Sequence, residues 1–265
     1  MRTGVSALAL TGVMGLASGL SSCTSGPGTL LESKAATSAV IEGAQCASGN
    51  RAYFGDTHLH TALSPDAGLA GTKLGLDEAY RFARGETVTS NSGQQAALKR
   101  PLDFLVVADH AENLGLAQGL ADSDPELLKS SLGQQLNELL KAGKGREAFY
   151  LLVQKMAKGP EAKISNETFM RNVWKHNTEA AERYNDPGKF TALIGYEWTS
   201  QPGGGNLHRV VVFRDNKALA DQILPFSNFD SEDVEDLWAF MNFYEKNTGG
   251  RVLAIPHNGN LSSGT

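Results

Sequence analysis

The histidines of this sequence are the side chains best suited to metal chemistry. Five of the six lie at or just after short apolar runs, and these are His58, His60, His110, His208 and His257. Glu197 ends a further run of the same kind. His58 and His60 are two positions apart, so on a strand both imidazoles share one face and can reach one ion. Only two cysteines are present, so a metal centre is expected to use histidine and carboxylate ligands.

The apolar runs are the predicted strands that position these residues. They cover residues 52–58, 102–108, 190–198, 207–213 and 252–255. Helical spacing is found at residues 76–84 and 230–247. Strands that alternate with helices predict an α/β fold with a mostly parallel sheet or barrel. The C-terminal ends of parallel barrel strands meet at one face, so these scattered ligand residues are expected to converge there.

One long segment contains no convincing strand. In residues 114–186, leucines recur at helical spacing, as at positions 127, 128, 132, 136, 139 and 140. We expect an insertion of several helices after the second predicted strand, placed over the active-site face of the barrel.

The N-terminal segment is typical of an exported lipoprotein. Arg2 is followed by an uncharged apolar run from Val5 to Leu20, which is shorter than the roughly 20 residues of a membrane-spanning helix. Leu-Ser-Ser-Cys at residues 20–23 matches a lipoprotein cleavage box. We expect residues 1–22 to be a signal peptide and residues 23–50 a flexible tether. Lipidated Cys23 would then anchor the domain of residues 51–265 at the cell envelope, on the periplasmic or outer-membrane face.

Composition limits the kinds of partner. The net charge of −5 does not imply a strongly basic face of the kind that binds nucleic acid, although it leaves room for a local basic patch, and no nucleic-acid partner is expected. With 41% hydrophobic and 20% charged residues, the chain has the composition of an ordinary globular protein. The partners expected are a small-molecule substrate, for which a phosphate ester is one candidate, and a membrane contacted through the lipid.

Taken together, the motifs resemble those of the PHP (polymerase and histidinol phosphatase) superfamily. Asp-Thr-His-Leu-His-Thr at residues 56–61, Ala-Asp-His at 108–110 and Ile-Pro-His at 255–257 are similar to its motifs. The resemblance spans residues 51–265. The sequences at residues 53–56, 195–199 and 257–262 resemble still more closely a branch known only as domain of unknown function 3604.

The resemblance implies a distorted seven-stranded PHP-type barrel with a multinuclear metal centre. Its ligands would be His58, His60, Asp66, His110, Glu197, His208 and His257. The two histidines of the first motif would bind one ion, which Glu197 bridges to a second. His208 and His257 would complete the ligand shell of the second ion. Asp66, which stands where many relatives have histidine, would hold a third ion with His110.

Such a ligand set predicts hydrolysis. Histidine and carboxylate ligands suit Zn²⁺, Mn²⁺ or Fe²⁺, and two or three such ions would acidify a bound water and neutralise the charge of a phosphate ester. Asp109 is a candidate for proton transfer or for support of the ligands, and a turn-capping role fits it equally. Arg209 and Asn258 lie beside ligands and are candidate contacts for an anionic substrate.

Two other functions remain open. One is an amidohydrolase-like enzyme that cleaves a non-phosphate bond. That class usually needs a lysine on a middle strand, where this sequence has Glu197. The other is a non-catalytic metal-binding surface lipoprotein.

The C-terminal part of the superfamily pattern is missing. Its relatives carry a late Asp-x-His motif, whereas this sequence reaches Thr265 with five predicted strands and no such motif. We expect the chain to be an N-terminal fragment with an incomplete barrel and with little or no activity of its own.

Overall fold

The computed structural model describes residues 51–156 and 162–264. The signal peptide, Cys23 and the tether lie outside the described residues, so these three assignments stay predictions. Within the described residues, no helix combines the length and apolarity that crossing a membrane requires.

A curled, five-stranded, half-barrel sheet forms the centre of the fold, with strand order β1-β4-β5-β6-β7. Its strands are β1 Gly55–Leu59, β4 Phe104–Val107, β5 Thr191–Trp198, β6 Arg209–Phe213 and β7 Val252–Pro256. They correspond to the five predicted strands. A separate two-stranded hairpin, β2 Val88–Thr89 and β3 Gln95–Ala96, was not predicted because two-residue strands leave no periodic pattern.

The direction of the strands differs from the prediction of a mostly parallel sheet. β1, β4 and β5 are parallel, whereas β6 runs antiparallel to both β5 and β7. The prediction of a mixed α/β fold is confirmed, and the finer prediction of a seven-stranded PHP-type barrel is not.

Eight α-helices surround the sheet in the described residues. They are α1 Pro65–Leu69, α2 Leu76–Ala83, α3 Leu116–Ala121, α4 Ser131–Lys141, α5 Gly145–Met156, α6 Glu167–Tyr184, α7 Lys217–Ala220 and α8 Val234–Thr248. Helix α8 begins four residues later than predicted. Asp230 accepts hydrogen bonds from Ser227 in a preceding turn, and Asp233 caps the helix by accepting from the backbone N–H of Glu235 at 2.9 Å.

The helical insertion is confirmed, since α3 to α6 all lie between β4 and β5. Helices α3 to α6 share a second apolar core with Leu69 of α1, and this core includes Leu116, Leu136, Leu152 and Phe169. The insertion thus packs beside the sheet as an additional layer.

Both faces of the central strands are buried. Along β4, Leu105 and Val107 belong to the main core beneath the helices. Val106, between them, packs on the other face with Val210 of β6. Burial on both sides gives β4 the continuous apolar sequence from which it was predicted.

Candidate metal centre

The strand directions explain why distant residues meet at one edge of the sheet. β1, β4, β5 and β7 share one direction, so their C-terminal ends lie together. β6 runs the opposite way, and its N-terminal end lies at that same edge. His208 directly precedes β6 and therefore reaches the same place as His257, which directly follows β7.

The structure brings all seven predicted ligands together at this edge. We call them the ligand cluster: His58, His60, Asp66, His110, Glu197, His208 and His257. Glu197 is its centre, with a side chain that is 0% exposed. On one side, Glu197 Oε2 lies 2.7 Å from His60 Nε2 and 3.1 Å from His58 Nε2. Those two ring nitrogens are 2.9 Å apart, near the roughly 3–3.5 Å expected of nitrogens that share one ion at about 2.1 Å.

The other oxygen of Glu197 faces a different pair of histidines. Oε1 lies 2.7 Å from His208 Nδ1 and also contacts His257 Nε2. The two oxygens of one carboxylate are thus turned toward two separate pairs of imidazoles, which is the arrangement of a bridging ligand.

Asp66 forms a third contact region. Its Oδ1 lies 3.3 Å from His60 Nδ1 and accepts a 2.6 Å hydrogen bond from the Ser64 hydroxyl. Its Oδ2 faces His110 Nε2 at 3.6 Å. The other ring nitrogen of His110 contacts Thr199 Oγ1 and lies 3.4 Å from Glu197 Oε2. Asp66 can therefore orient His60 and also share an ion with His110.

Histidines dominate the electrostatics of the cluster. Burial alone would raise the pKa of Glu197, but hydrogen bonds from four histidines outweigh it and hold this pKa well below its usual range. Burial lowers the pKa of His60, yet its bonds to Asp66 and Glu197 raise it to about 10. Burial lowers the pKa of His208 and so favours the neutral ring that a metal ligand requires.

The donor set fits one or more divalent ions. Three groups have ligand atoms within 4.8 Å of one another: His58, His60 and Glu197; His60, Asp66 and His110; and His110, Glu197 and His208. Among the described residues, only histidines pair with the carboxylates of Glu197 and Asp66. The Glu197 side chain is 0% exposed and the Asp66 side chain 42% exposed, and carboxylates without a lysine or arginine partner are well matched to cations.

One comparison with known proteins identifies the family. The family model described as protein of unknown function (DUF3604) matches residues 47–265. The chain belongs to the DUF3604 family. No curated protein and no solved structure matches it.

This match corrects the wider resemblance drawn from the motifs. The assignment to the PHP superfamily is wrong as a family assignment, because the matching model is DUF3604 and no PHP assignment accompanies it. The narrower resemblance, to domain of unknown function 3604, agrees with the match. Motifs built on a few histidines recur where metal ligands are needed, so they do not by themselves define a superfamily. For the DUF3604 chain, the ligand roles therefore rest on the geometry alone.

Asp109 lies beneath the cluster. Its carboxylate is fully buried and accepts from the backbone N–H and the hydroxyl of Thr61, at 2.5 and 2.7 Å. Burial raises its pKa to about 6, although both bonds from Thr61 act in the opposite direction. With both oxygens engaged in the loop that carries His60, Asp109 has the geometry of a positioning residue, which favours the turn-capping alternative over proton transfer.

Among the described residues of the DUF3604 chain, no hydrogen bond or ion pair joins the two candidate substrate contacts, Arg209 and Asn258, to a side chain of the cluster. The Arg209 guanidinium donates to the carbonyl oxygens of Leu207 and His208 at 3.2 and 2.9 Å. Asn258 is exposed and has a left-handed backbone conformation, with φ 55°. His176, the remaining histidine of the chain, lies apart from the cluster's sequence motifs and is exposed on α6.

Glu112 is a site residue that the sequence analysis missed. It is fully buried; Oε1 accepts from the backbone N–H groups of Thr199 and Asn228, at 3.2 and 2.8 Å. Its Oε2 has no hydrogen-bond partner among the described residues. Burial raises its pKa to about 7. Its only sequence signal is an acidic residue two positions after His110.

A cavity of about 120 Å³ adjoins the cluster, and we call it the α5 cavity. His110, His208 and Glu112 line one side, and the insertion helix α5 lines the other. Larger cavities of about 500 and 230 Å³ contain no residue of the ligand cluster. The insertion of the DUF3604 chain thus lies beside the candidate metal centre.

Proposed function

We propose that this chain is a metal-dependent hydrolase that cleaves phosphate esters. In this proposal, the ligand cluster holds two or three ions of zinc, manganese or iron. The observation that carries it is the contact of each Glu197 oxygen with its own pair of histidines, His58 with His60 and His208 with His257.

The side chains of the ligand cluster are better suited to binding metal ions than to binding protons. Five imidazoles and two carboxylates meet within one small region, where protonated rings would repel one another. Divalent ions bound there supply an acidified water and positive charge that offsets the charge of an anionic ester. Mixed nitrogen and oxygen ligands of this type suit Zn²⁺, Mn²⁺ and Fe²⁺.

Several residues next to the ligand cluster hold its side chains in position. Ser64 and Asp66 contact the Nδ1 side of His60 and leave its Nε2 directed at Glu197. Asp109 fixes the loop at Thr61. Supporting partners of this kind set the orientation of a ligand, and their loss typically costs about 10–100-fold in metal affinity or activity.

A cavity beside the cluster supports an enzyme over a metal-storage or purely structural role. A structural ion is usually closed off by its ligands, whereas a catalytic ion keeps an open position for water or substrate. The α5 cavity, of about 120 Å³, provides space next to His110 and His208.

The test is a hydrolysis assay on a metal-loaded full-length version of the protein. Phosphate mono- and diesters are offered with Mn²⁺, Zn²⁺ or Fe²⁺, alongside an amide and a carboxylic ester. We expect phosphate-ester hydrolysis, and at least about a 100-fold loss in His58→Ala, since even partners outside the ligand shell cost about 10–100-fold. The matched control is His176→Ala, which removes an exposed histidine on α6.

Two outcomes would overturn the proposal. Activity that His58→Ala leaves unchanged would exclude the ligand cluster as the site. Turnover of the amide or carboxylic ester without any phosphate ester would favour the amidohydrolase-like alternative.

A further inference from the structure

The α5 cavity has one polar and one apolar side. On the polar side, His208 and Glu112 each carry a buried atom, Nε2 and Oε2, without a hydrogen-bond partner among the described residues. Both residues are almost completely buried, at 6% and 0% exposure. Leaving a buried polar atom unsatisfied is unfavourable, so two such atoms beside one cavity indicate that a polar ligand belongs there.

The apolar side comes from one face of α5. Phe149, Leu152, Val153 and Met156 line the cavity, with the three-, four- and seven-residue spacing of a single helix face. Val153 lines the cavity and is nevertheless 44% exposed. An exposed valine directed at a cavity rather than at the core is available to contact a ligand.

The volume of the cavity suits a group about the size of one ring. An apolar cavity of about 150 Å³ in another protein is known to bind benzene. The α5 cavity, at about 120 Å³, is of similar size. Its position against His110 and His208 places such a group next to the ligand cluster.

We propose that the α5 cavity binds the organic group of an anionic ester, and that this group is a ring or compact alkyl moiety carrying a hydrogen-bond donor for Glu112. This inference rests on the proposed function for the position of the anionic part. The inference extends the proposed function by specifying the class of substrate. An ester of a small polar alcohol such as glycerol would leave the apolar face of α5 without a partner, so such esters are not expected substrates.

Binding of phosphonates tests the apolar side without requiring turnover. Phenylphosphonate and methylphosphonate carry the same anionic group, and neither is a phosphate ester. Calorimetry on the Mn²⁺-loaded chain is expected to give about tenfold tighter binding of the phenyl compound. Val153→Asn should reduce this preference by about threefold or more, since a single methylene group in a hydrophobic pocket is worth about tenfold or more in discrimination. Tyr150→Asn is the matched control, because Tyr150 is 58% exposed and does not line the cavity.

The outcomes separate this inference from the proposed hydrolysis. Equal affinity for the two phosphonates, no binding of either, or a preference that Val153→Asn leaves intact would each overturn the inference, whatever the hydrolysis assay gives. A phenyl preference that depends on Val153, in a chain that cleaves no ester, would support the binding site and contradict the proposed reaction. Thermal melting of each variant shows whether it is folded, and Val153→Thr replaces Val153→Asn if the latter is not.

Aminophenylphosphonates test the role of Glu112. At least one of the 2-, 3- and 4-amino isomers should bind about three- to tenfold more tightly than phenylphosphonate, the range expected for one additional hydrogen bond. Glu112→Gln keeps an oxygen to accept from Thr199 and Asn228 but offers an N–H group in place of Oε2. The gain should disappear in this variant. A gain that persists in Glu112→Gln, or no gain for any isomer, would remove Glu112 from the site.

Discussion

The Nδ1 atom of His208 lies 2.7 Å from Oε1 of Glu197, although one residue precedes β6 and the other lies near the end of β5. The antiparallel pairing of these strands causes this contact, since it sets Glu197 opposite Val210 and Trp198 opposite Arg209. A ligand at the start of one strand and a ligand at the end of its neighbour therefore share one edge of the sheet.

Glu197→Gln should remove more metal than any single histidine substitution. The amide keeps the shape of the side chain but loses the negative charge and the ability of both end atoms to act as ligands. We expect the loss of at least one equivalent of bound metal, measured by elemental analysis after dialysis. Glu138→Gln, at an exposed position on α4, is the control and should bind as much metal as the unmodified chain. Equal metal content in both variants would contradict a bridging role for Glu197.

Divalent ions should stabilise the chain against heat, and by more at higher pH. A ligand present at about 100 times its Kd adds about 2.7 kcal/mol to the free energy of unfolding. In the metal-free chain, the pKa of His60 is raised from 6.5 to about 10 by its bonds to Asp66 and Glu197, which outweigh burial. The stability that this protonated ring contributes is complete below about pH 6.5 and is lost as pH rises toward 10.

Metal binding has the opposite pH dependence, because imidazole ligands must be neutral. The rise in melting temperature on addition of Mn²⁺ should therefore be larger at pH 9 than at pH 6.5. Differential scanning calorimetry at both values, with His176→Ala as control, measures this difference. A rise that is larger at the lower pH would argue against histidine ligation.

Thr61→Val should destabilise the fold and weaken metal binding, whereas Thr61→Ser should do so much less. Thr61 is 2% exposed, and its hydroxyl donates to Asp109 Oδ2 at 2.7 Å. Valine leaves that buried oxygen unsatisfied, at a cost of about 1–3 kcal/mol. Serine keeps the hydroxyl. Urea denaturation of the two variants provides the measurement, and equal stabilities would show that the hydroxyl of Thr61 does not support this loop.

The predicted lipid anchor is tested on the N-terminal peptide, which lies outside the described residues. We expect the chain in its native membrane fraction to begin at an acylated Cys23, because residues 20–23 match a lipoprotein box. Mass spectrometry of the N-terminal peptide measures this, and Cys23→Ala should release the protein from the membrane. A mature chain that begins elsewhere, or one with a free Cys23 thiol, would refute the anchor.

The sequence predicted the strands of the sheet better than their directions. Apolar runs mark buried strands but do not encode whether neighbours are parallel. Residues 199–208 are few for a parallel crossover, which needs a dozen or more residues, and they include glycines at 203 and 204 with positive φ. The antiparallel pairing of β5 with β6 could therefore have been predicted. The 38 residues at 214–251 between β6 and β7 fit either direction, so that pairing could not be predicted.

The site residues that follow a sequence pattern could be predicted, and those that follow no pattern could not. Histidines at predicted strand ends stand out because few other roles explain five of them. Glu112 has its partners Thr199 and Asn228 at 87 and 116 positions along the chain. No local spacing carries that information, because the contacts depend on how two loops pack. Likewise, the use of both Asp109 oxygens by Thr61 became visible only with the fold.

The most direct test of the account is anomalous X-ray diffraction at the manganese edge from crystals of the Mn²⁺-loaded chain. The account predicts at least two peaks, one within about 2.3 Å of Glu197 Oε2 and the ring nitrogens of His58 and His60. The second peak should lie at a similar distance from Glu197 Oε1, on the side of His208. Crystals loaded with Mn²⁺ that show no peak in contact with Glu197 would contradict the central claim.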